Sequence, residues 1–272
     1  MLSELLVRGY APGELKAAGF PASDFRAAGF SAHELRGAGF TLVELLPTGF
    51  ILSELKAGGF PASEFKRAGF TAVELKEAGF LLDELIAAGY LLEELKAAGF
   101  HASGFKAAGS TAEVLKAAGF TAGELMAAGF TLSELKLVGA SPGELAAAGF
   151  SLNDLRAAGF RASELRAGGF MLGEIKAAGF AAGEFRAARF TANELVTAGF
   201  LLSELVVAGF SAGELKTAEF SATALKAAGF TLAQLAAVGF TPSDLEVVGF
   251  AVSELKTAGF QARELKAAGF TT

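Results

Sequence analysis

The sequence predicts an all-α solenoid of about 27 ten-residue repeats, each holding one short, capped helix. Three observations support this prediction. Some version of the phrase Gly-Phe-Thr-x-x-Glu-Leu returns every ten residues along the chain. Ser or Thr stands three residues before Glu, which is the signature of a capping box at a helix N-terminus. Glycine closes each helix-forming stretch, where helices commonly end in a left-handed residue.

We call each ten-residue repeat a decade and number its positions 1 to 10, so that decade 13 is residues 121–130. The consensus is Thr/Ser, Ala/Leu, small, Glu, Leu, Lys/Arg, Ala, Ala, Gly, Phe. Position 9 is glycine except at Arg189 and Glu219, and position 10 is aromatic except at Ser110 and Ala140. Because the repeats are so regular, the same structural interpretation applies to all of them.

Positions 1 to 4 predict the start of a helix. In decade 13, the Thr121 hydroxyl is expected to accept from the amide three residues on, while Glu124 reaches back to the Thr121 amide. Pro142 and Pro242 fall at position 2, the first helical residue, where the missing N–H of proline costs nothing. Leu, Lys and Ala then favour continuation of the helix.

Positions 9 and 10 predict the end of one helix and the approach to the next. Glycine at position 9 suits the left-handed C′ residue. Phe at position 10 is expected to contact Leu at position 5 of its own helix and Leu at position 5 of the following helix. The phrase therefore combines a helix stop, an apolar hinge and a helix start.

The pattern also predicts which side chains are buried. Positions 2, 5 and 8 share a helix face and hold Ala/Leu, Leu and Ala. Positions 3, 6 and 7 hold variable and charged residues, which we expect on a solvated surface that complements the helix dipole. Helices this short are not stable alone, so they must stack. We predict one continuous solenoid over residues 1–272, with no linkers and no obvious capping repeats.

A right-handed, four-sided β-helix is the alternative fold. Leu and Phe recur every five residues with small residues before them, which resembles the pentapeptide-repeat proteins. The resemblance covers the whole chain but is loose, because the inward position would have to hold charged residues such as Asp83, Glu93 and Arg263. Ala, Lys and Glu also disfavour strands. The helical pattern more closely resembles the tandem "ELKAAGF"-type decapeptides of functionally uncharacterised proteins, and that resemblance implies no activity.

A forty-residue rhythm lies within the ten-residue one. Phe replaces Leu at position 5 in Phe25, Phe65, Phe105 and Phe185. Position 6 is usually Lys or Arg, but apolar residues occur there at intervals that are multiples of forty residues. Duplication of a forty-residue unit is one explanation of this period. The other is that these apolar residues stack into a contiguous exposed surface, which would mark an interface. The predicted interface stripe consists of Leu6, Leu46, Ile86, Met126 and Val206.

Composition excludes several classes of function. A net charge of −6 argues against nucleic-acid binding, and no apolar run approaches the length of about 18 residues needed for a membrane span. The start "MLSELLVRGY" is already a repeat, so no signal peptide is expected. There is no cysteine, and the two histidines, His33 and His101, stand apart. We therefore predict no catalytic, cofactor or metal site and no enzyme activity, and the compartment stays open.

The ends of the array suggest a role. Repeat proteins usually end in polar capping repeats. Decades 1 and 27 lack them, so each end is expected to offer a surface complementary to the other. Such a head-to-tail contact propagates into a fibre unless it closes into a ring. The leading prediction is a structural subunit that assembles with itself. The alternatives are a discrete protein-binding scaffold or, for the β-helix, an acidic rod that mimics DNA.

Overall fold

The protein is described by a computed structural model, and the structure describes residues 2–270. These residues form 27 α-helices, one in each decade and at the same positions. The helices are α1 (Leu2–Val7), α2 (Pro12–Ala17), α3 (Ala22–Ala27), α4 (Ala32–Gly37), α5 (Leu42–Leu45), α6 (Leu52–Ala57), α7 (Ala62–Arg67), α8 (Ala72–Glu77), α9 (Leu82–Ala87), α10 (Leu92–Ala97), α11 (Ala102–Ala107), α12 (Ala112–Ala117), α13 (Ala122–Ala127), α14 (Leu132–Leu137), α15 (Pro142–Ala147), α16 (Leu152–Ala157), α17 (Ala162–Ala167), α18 (Leu172–Ala177), α19 (Ala182–Ala187), α20 (Ala192–Thr197), α21 (Leu202–Val207), α22 (Ala212–Thr217), α23 (Ala222–Ala227), α24 (Leu232–Ala237), α25 (Pro242–Val247), α26 (Val252–Thr257) and α27 (Ala262–Ala267).

Helix α5 is shorter than the others and continues as a 3-10 turn over Leu46–Thr48. Pro47 lies at the centre of this turn. Proline has no N–H to donate and its ring clashes with the carbonyl four residues earlier, so the α-helix gives way to the tighter turn.

The predicted caps are confirmed at both ends of the helices. The Thr121 N–H donates to a Glu124 carboxylate oxygen at 2.7 Å, and the Glu124 N–H donates to the Thr121 hydroxyl at 3.2 Å. At the C-terminus of α13, the Gly129 N–H donates to the Met126 carbonyl at 2.8 Å and the Phe130 N–H to the Leu125 carbonyl at 3.0 Å. This pair of bonds is the Schellman motif, and it requires the left-handed φ of 85° found at Gly129.

Helices two decades apart pack against each other. Contacting pairs include α4 with α6 and α7 with α9, and likewise α15 with α17 and α20 with α22. Position 2 of one decade meets position 8 of the decade two further on, and a β-carbon added to Gly58 would lie 2.8 Å from that of Ala32. Two decades therefore make one turn of the solenoid, a number that the sequence left open.

The core is built from positions 2, 5 and 10. Phe185 at position 5 is fully buried, and its ring contacts Phe190 of its own decade at 5.6 Å and Phe180 of the preceding decade at 6.4 Å. Both contacts predicted for the aromatic hinge are thus present. Phe185 also meets Phe200 of the following decade at 5.1 Å, so successive decades interlock.

The helical prediction is confirmed and the β-helix alternative is wrong, since residues 2–270 contain no strand. The chain divides into two compact units, Met1–Gly139 and Ala140–Thr272, and each is a stack of short helices. The single continuous solenoid over residues 1–272 stays a prediction. None of the helices between residues 2 and 270 has the length and apolar character needed to cross a membrane.

Candidate functional site

The most frequent polar contact between decades is made by the Lys or Arg at position 6. Its cationic group lies against the C-terminus of the helix two decades on. There it meets the position 9 carbonyl, the position 10 ring and, one decade later, the position 4 carboxylate. We call this arrangement the cation clamp. It joins three decades that are far apart in sequence but adjacent in the stack.

Lys56 shows the full arrangement in the first unit. Its ammonium group donates to the Gly79 carbonyl at 2.5 Å and to a Glu84 carboxylate oxygen at 2.8 Å. The same nitrogen lies 4.6 Å from the centre of the Phe80 ring. The carbonyl belongs to the C′ residue just beyond the helix, and a cation there complements the helix dipole.

The second unit repeats the geometry. Lys176 donates to the Gly199 carbonyl at 2.5 Å and to Glu204 at 3.1 Å, and its nitrogen lies 4.3 Å from the centre of the Phe200 ring. Arginine takes the same place at Arg156, which donates to the Ala178 carbonyl at 3.0 Å. Both kinds of cation therefore bind a carbonyl at the C-terminal end of the helix two decades on, Lys176 at position 9 and Arg156 at position 8.

The clamp covers the aromatic ring at position 10. Rings that are buried beneath a cation of their own unit are Phe40, Phe60, Phe80, Tyr90, Phe120, Phe130, Phe180, Phe190, Phe200, Phe210 and Phe240. Where position 6 is apolar or small, the ring two decades on is only half-buried, as in Phe30, Phe70, Phe170, Phe220, Phe230 and Phe260. Phe50, Phe100 and Phe250 are half-buried although a cation lies over them.

The clamp also fixes the charge state of its carboxylate. The backbone N–H of Thr41 and the ammonium group of Lys16 both donate to Glu44, and they lower the pKa of Glu44 from 4.5 to about 2. Hydrogen bonds from Thr191 in the same way lower the pKa of Glu194, with Arg166 nearby. These carboxylates serve as anionic partners over the whole neutral and mildly acidic range.

The prediction that position 6 belongs to a solvated surface is wrong for half-buried cations such as Lys56 and Lys176, whereas Arg36, Arg156, Arg166 and Lys226 are exposed as predicted. The Lys56 and Lys176 side chains are three-quarters buried, with relative exposures of 25% and 27%. Sequence reasoning missed this role because the partners lie 23 and 28 residues away.

A signal of the clamp was nevertheless present in the sequence. Position 4 is neither Glu nor Asp in only four decades, at Gly104, Val114, Ala224 and Gln234. Three of these four lie 28 residues after an apolar position 6, namely Ile86, Val196 and Val206. The carboxylate is kept, by contrast, 28 residues after Leu6, Leu46, Met126, Ala146 and Ala236.

The predicted interface stripe lies at position 6 of odd-numbered decades. Leu6, Leu46 and Val206 are half-buried, whereas Ile86 and Met126 are 39% and 37% exposed. In the first unit the decades between them carry Arg26, Lys66 and Lys106 at the same position. Apolar and clamped positions therefore alternate along this side, and the use of the stripe as an interface stays a prediction.

Other candidate chemistry is sparse. His33 and His101 both have exposed side chains and lie in separate decades. Within residues 2–270, no three His, Asp or Glu side chains come together as a possible metal site. The arrangement of polar groups is suited to holding one decade against another.

The comparisons with known proteins agree with this repeat. Neither curated proteins nor solved structures provide a match. A family model described as "Decapeptide repeat region" matches residues 1–72, 29–102, 69–142, 139–212 and 209–272. Together these overlapping segments span the chain, which therefore belongs to the decapeptide repeat family.

Proposed function

We propose that the chain is a structural subunit that assembles end to end with further copies of itself. The observation that carries the proposal is the exposure of the stacking face in the last two described decades. Val252 and Ala262 at position 2 are exposed, whereas position 2 is buried or half-buried in every decade from 1 to 25. Beside them lies a groove of about 470 Å³, lined by Val252, Phe260, Leu265 and Phe270 among others.

The first decades offer the opposite face of the same contact. Within the stack, position 2 is covered by position 8 of the decade two further on, as Ala32 is by Gly58. Decades 1 and 2 present their position 8 residues, Arg8 and Ala18, to solvent. A second copy that placed these decades against Val252 and Ala262 would continue the packing already used inside each unit.

A contact of this kind is heterologous, because two different surfaces meet. Each added copy leaves one further end exposed, so growth continues unless the assembly closes into a ring. A repeat protein whose polar contacts between decades serve stacking is suited to such a scaffold role.

Sedimentation velocity of the purified chain over micromolar concentrations tests the proposal, together with electron microscopy of the same samples. We expect species that grow with concentration, and we expect Val252→Glu to prevent their growth. The control is Val247→Glu, which introduces the same charge at a side chain that is 81% exposed in the neighbouring decade. A chain that stays monomeric at every concentration would overturn the proposal and direct attention to a protein-binding scaffold.

A further inference from the structure

We infer that the cation clamps set the register of this end-to-end contact, an inference that rests on the proposed function. Lys256 and Lys266 of one copy would clamp decades 1 and 2 of the next. Inside each unit a clamp always runs from one decade to the decade two further on. Counted across a junction, the decade two beyond decade 26 is decade 1 of the following copy, and the decade two beyond decade 27 is decade 2.

The donors of these clamps are present and unused. Lys256 and Lys266 occupy position 6, and both side chains line the groove beside Phe260 and Leu265. Lys226, three decades earlier, already has partners in decade 25, since its ammonium group donates to the Val248 carbonyl at 3.1 Å and lies 4.0 Å from the centre of the Phe250 ring. Among residues 2–270 there is no decade that could supply the same partners to Lys256 or Lys266.

The matching acceptors are found in decades 1 and 2. Gly9 and Gly19 supply the position 9 carbonyls there, and both residues are exposed. The two tyrosines at position 10 make the comparison direct. Tyr90 lies beneath Lys66 and is 7% exposed, while Tyr10 has no cation above it and is 51% exposed.

The charges of the two faces are complementary. The clamp reaches the position 4 carboxylate three decades on, as Lys56 reaches Glu84. At the junction, Lys256 would reach Glu14 of the next copy and Lys266 would reach Asp24. Two ammonium groups thus meet two carboxylates only in the register that places decade 1 directly after decade 27. A slip of one decade leaves one lysine without its ring and carbonyl.

This register makes assembly sensitive to salt. Partly exposed ion pairs weaken as the Debye length shortens from about 10 Å at 0.1 M salt to about 3 Å at 1 M. Contact through apolar faces alone would not weaken in this way, because burial of apolar surface is insensitive to charge screening. We therefore expect the apparent Kd of association to rise with sodium chloride concentration.

The test compares variants that reverse positive charges at the same end. Lys256→Glu combined with Lys266→Glu should raise the apparent Kd by about tenfold or more, which corresponds to about 1.4 kcal/mol. The control is Arg263→Glu, since Arg263 lies in the last decade at the exposed position 3. It should assemble as the unchanged chain does. Far-ultraviolet circular dichroism of both variants checks that the fold is retained.

A mixing experiment then reads the direction of the contact. The double variant keeps its first decades intact, so it should bind the last decades of an unchanged copy and stop further growth. Small amounts added to the unchanged chain should shorten the assemblies. If the unchanged chain assembles but the double variant matches Arg263→Glu and does not shorten them, the register is overturned and end-to-end assembly stands. If the unchanged chain never assembles, the proposed function itself is overturned.

Discussion

Replacing Lys176 by methionine removes one cation clamp and keeps the apolar stem of the side chain. The change deletes two charge-assisted hydrogen bonds, at 2.5 Å to the Gly199 carbonyl and at 3.1 Å to Glu204. A hydrogen bond to a charged group contributes about 1.5–3 kcal/mol, and an exposed ion pair contributes about 0.2–1 kcal/mol. Because Gly199 is exposed and water can replace the ammonium group, we expect a loss at the low end, about 1–2 kcal/mol.

The assay must report on a local region, because long repeat arrays can unfold in parts. Native-state hydrogen exchange at the amides of Gly199 and Phe200 gives the free energy of local opening where the clamp acts. Both amides are hydrogen-bonded, to the carbonyls of Val196 and Leu195. A double-mutant cycle with Glu204→Gln isolates the ion pair, since Gln keeps an acceptor for the Leu201 N–H that Glu204 now binds at 2.7 Å.

The control is Arg67→Met, which removes a cation that hydrogen-bonds within its own helix, at 3.3 Å to the Ser63 carbonyl. We expect it to change the opening free energy of its own decade by less than about 0.5 kcal/mol. If Lys176→Met has an equally small effect at Gly199 and Phe200, position 6 cations do not hold the decades together. The account of the clamp would then fail.

Three further predictions follow from the same geometry. Ala146→Lys should add a clamp onto the Gly169 carbonyl, where the adjoining space is open, and raise local stability by about 0.5–1.5 kcal/mol in hydrogen exchange. Arg189→Gly and Glu219→Gly should each stabilise the chain by about 0.5–1 kcal/mol in urea unfolding, because both residues hold left-handed backbones with φ of 64° and 65°. The pKa of Glu44 is lowered to about 2 in the folded state, so its contribution to stability is present above pH 4.5 and is lost as the pH falls through about 2, as an acid titration of the unfolding free energy would report.

Each of these has its own control and contrary result. Ala146→Gln carries a long side chain without charge, so an equal gain from it would remove the role of the cation. Ala188→Gly adds glycine at a φ of −85° and should destabilise, and stabilisation there would mean that glycine acts through something other than the left-handed backbone. Glu44→Gln should flatten the acid dependence between pH 4.5 and 2. An unchanged dependence would show that other carboxylates govern it.

The local structure of each decade could be predicted because its causes lie within ten residues. Thr121 and Glu124 cap the same helix, and Gly129 ends it without help from distant parts of the chain. The number of decades per turn could not be predicted in the same way. It depends on the angle that each Gly-Phe junction sets between successive helices, and small differences in backbone dihedrals accumulate over a turn. The role of Lys56 was missed for a related reason, since its partners become neighbours only when that angle is known.

The forty-residue rhythm takes on a physical meaning once two decades are known to complete a turn. Decades of the same parity then lie on the same side of the stack. In the first unit the even decades carry Lys or Arg at position 6 throughout, while the odd decades alternate between apolar and cationic residues. Apolar position 6 residues that are forty residues apart therefore lie two turns apart on the same side of the stack. Each apolar position has a clamped turn on either side of it along the first unit, from Leu46 to Ile86.

The fate of the partners shows what an omitted clamp costs. Where Ile86 replaces the cation, the ring at position 10 has become Ser110 and the carboxylate at position 4 has become Val114. An uncovered ring would expose apolar surface, and a carboxylate without its cation would lose a favourable partner. Leu46, by contrast, keeps both Phe70 and Glu74, and Phe70 is only half-buried. If the position 6 side chain were only solvated, replacing it would not affect which residues are tolerated 24 and 28 positions later. The joint loss at Ile86 is the pattern expected if the cation, ring and carboxylate act as one unit, although five of the other apolar or small position 6 residues keep both partners.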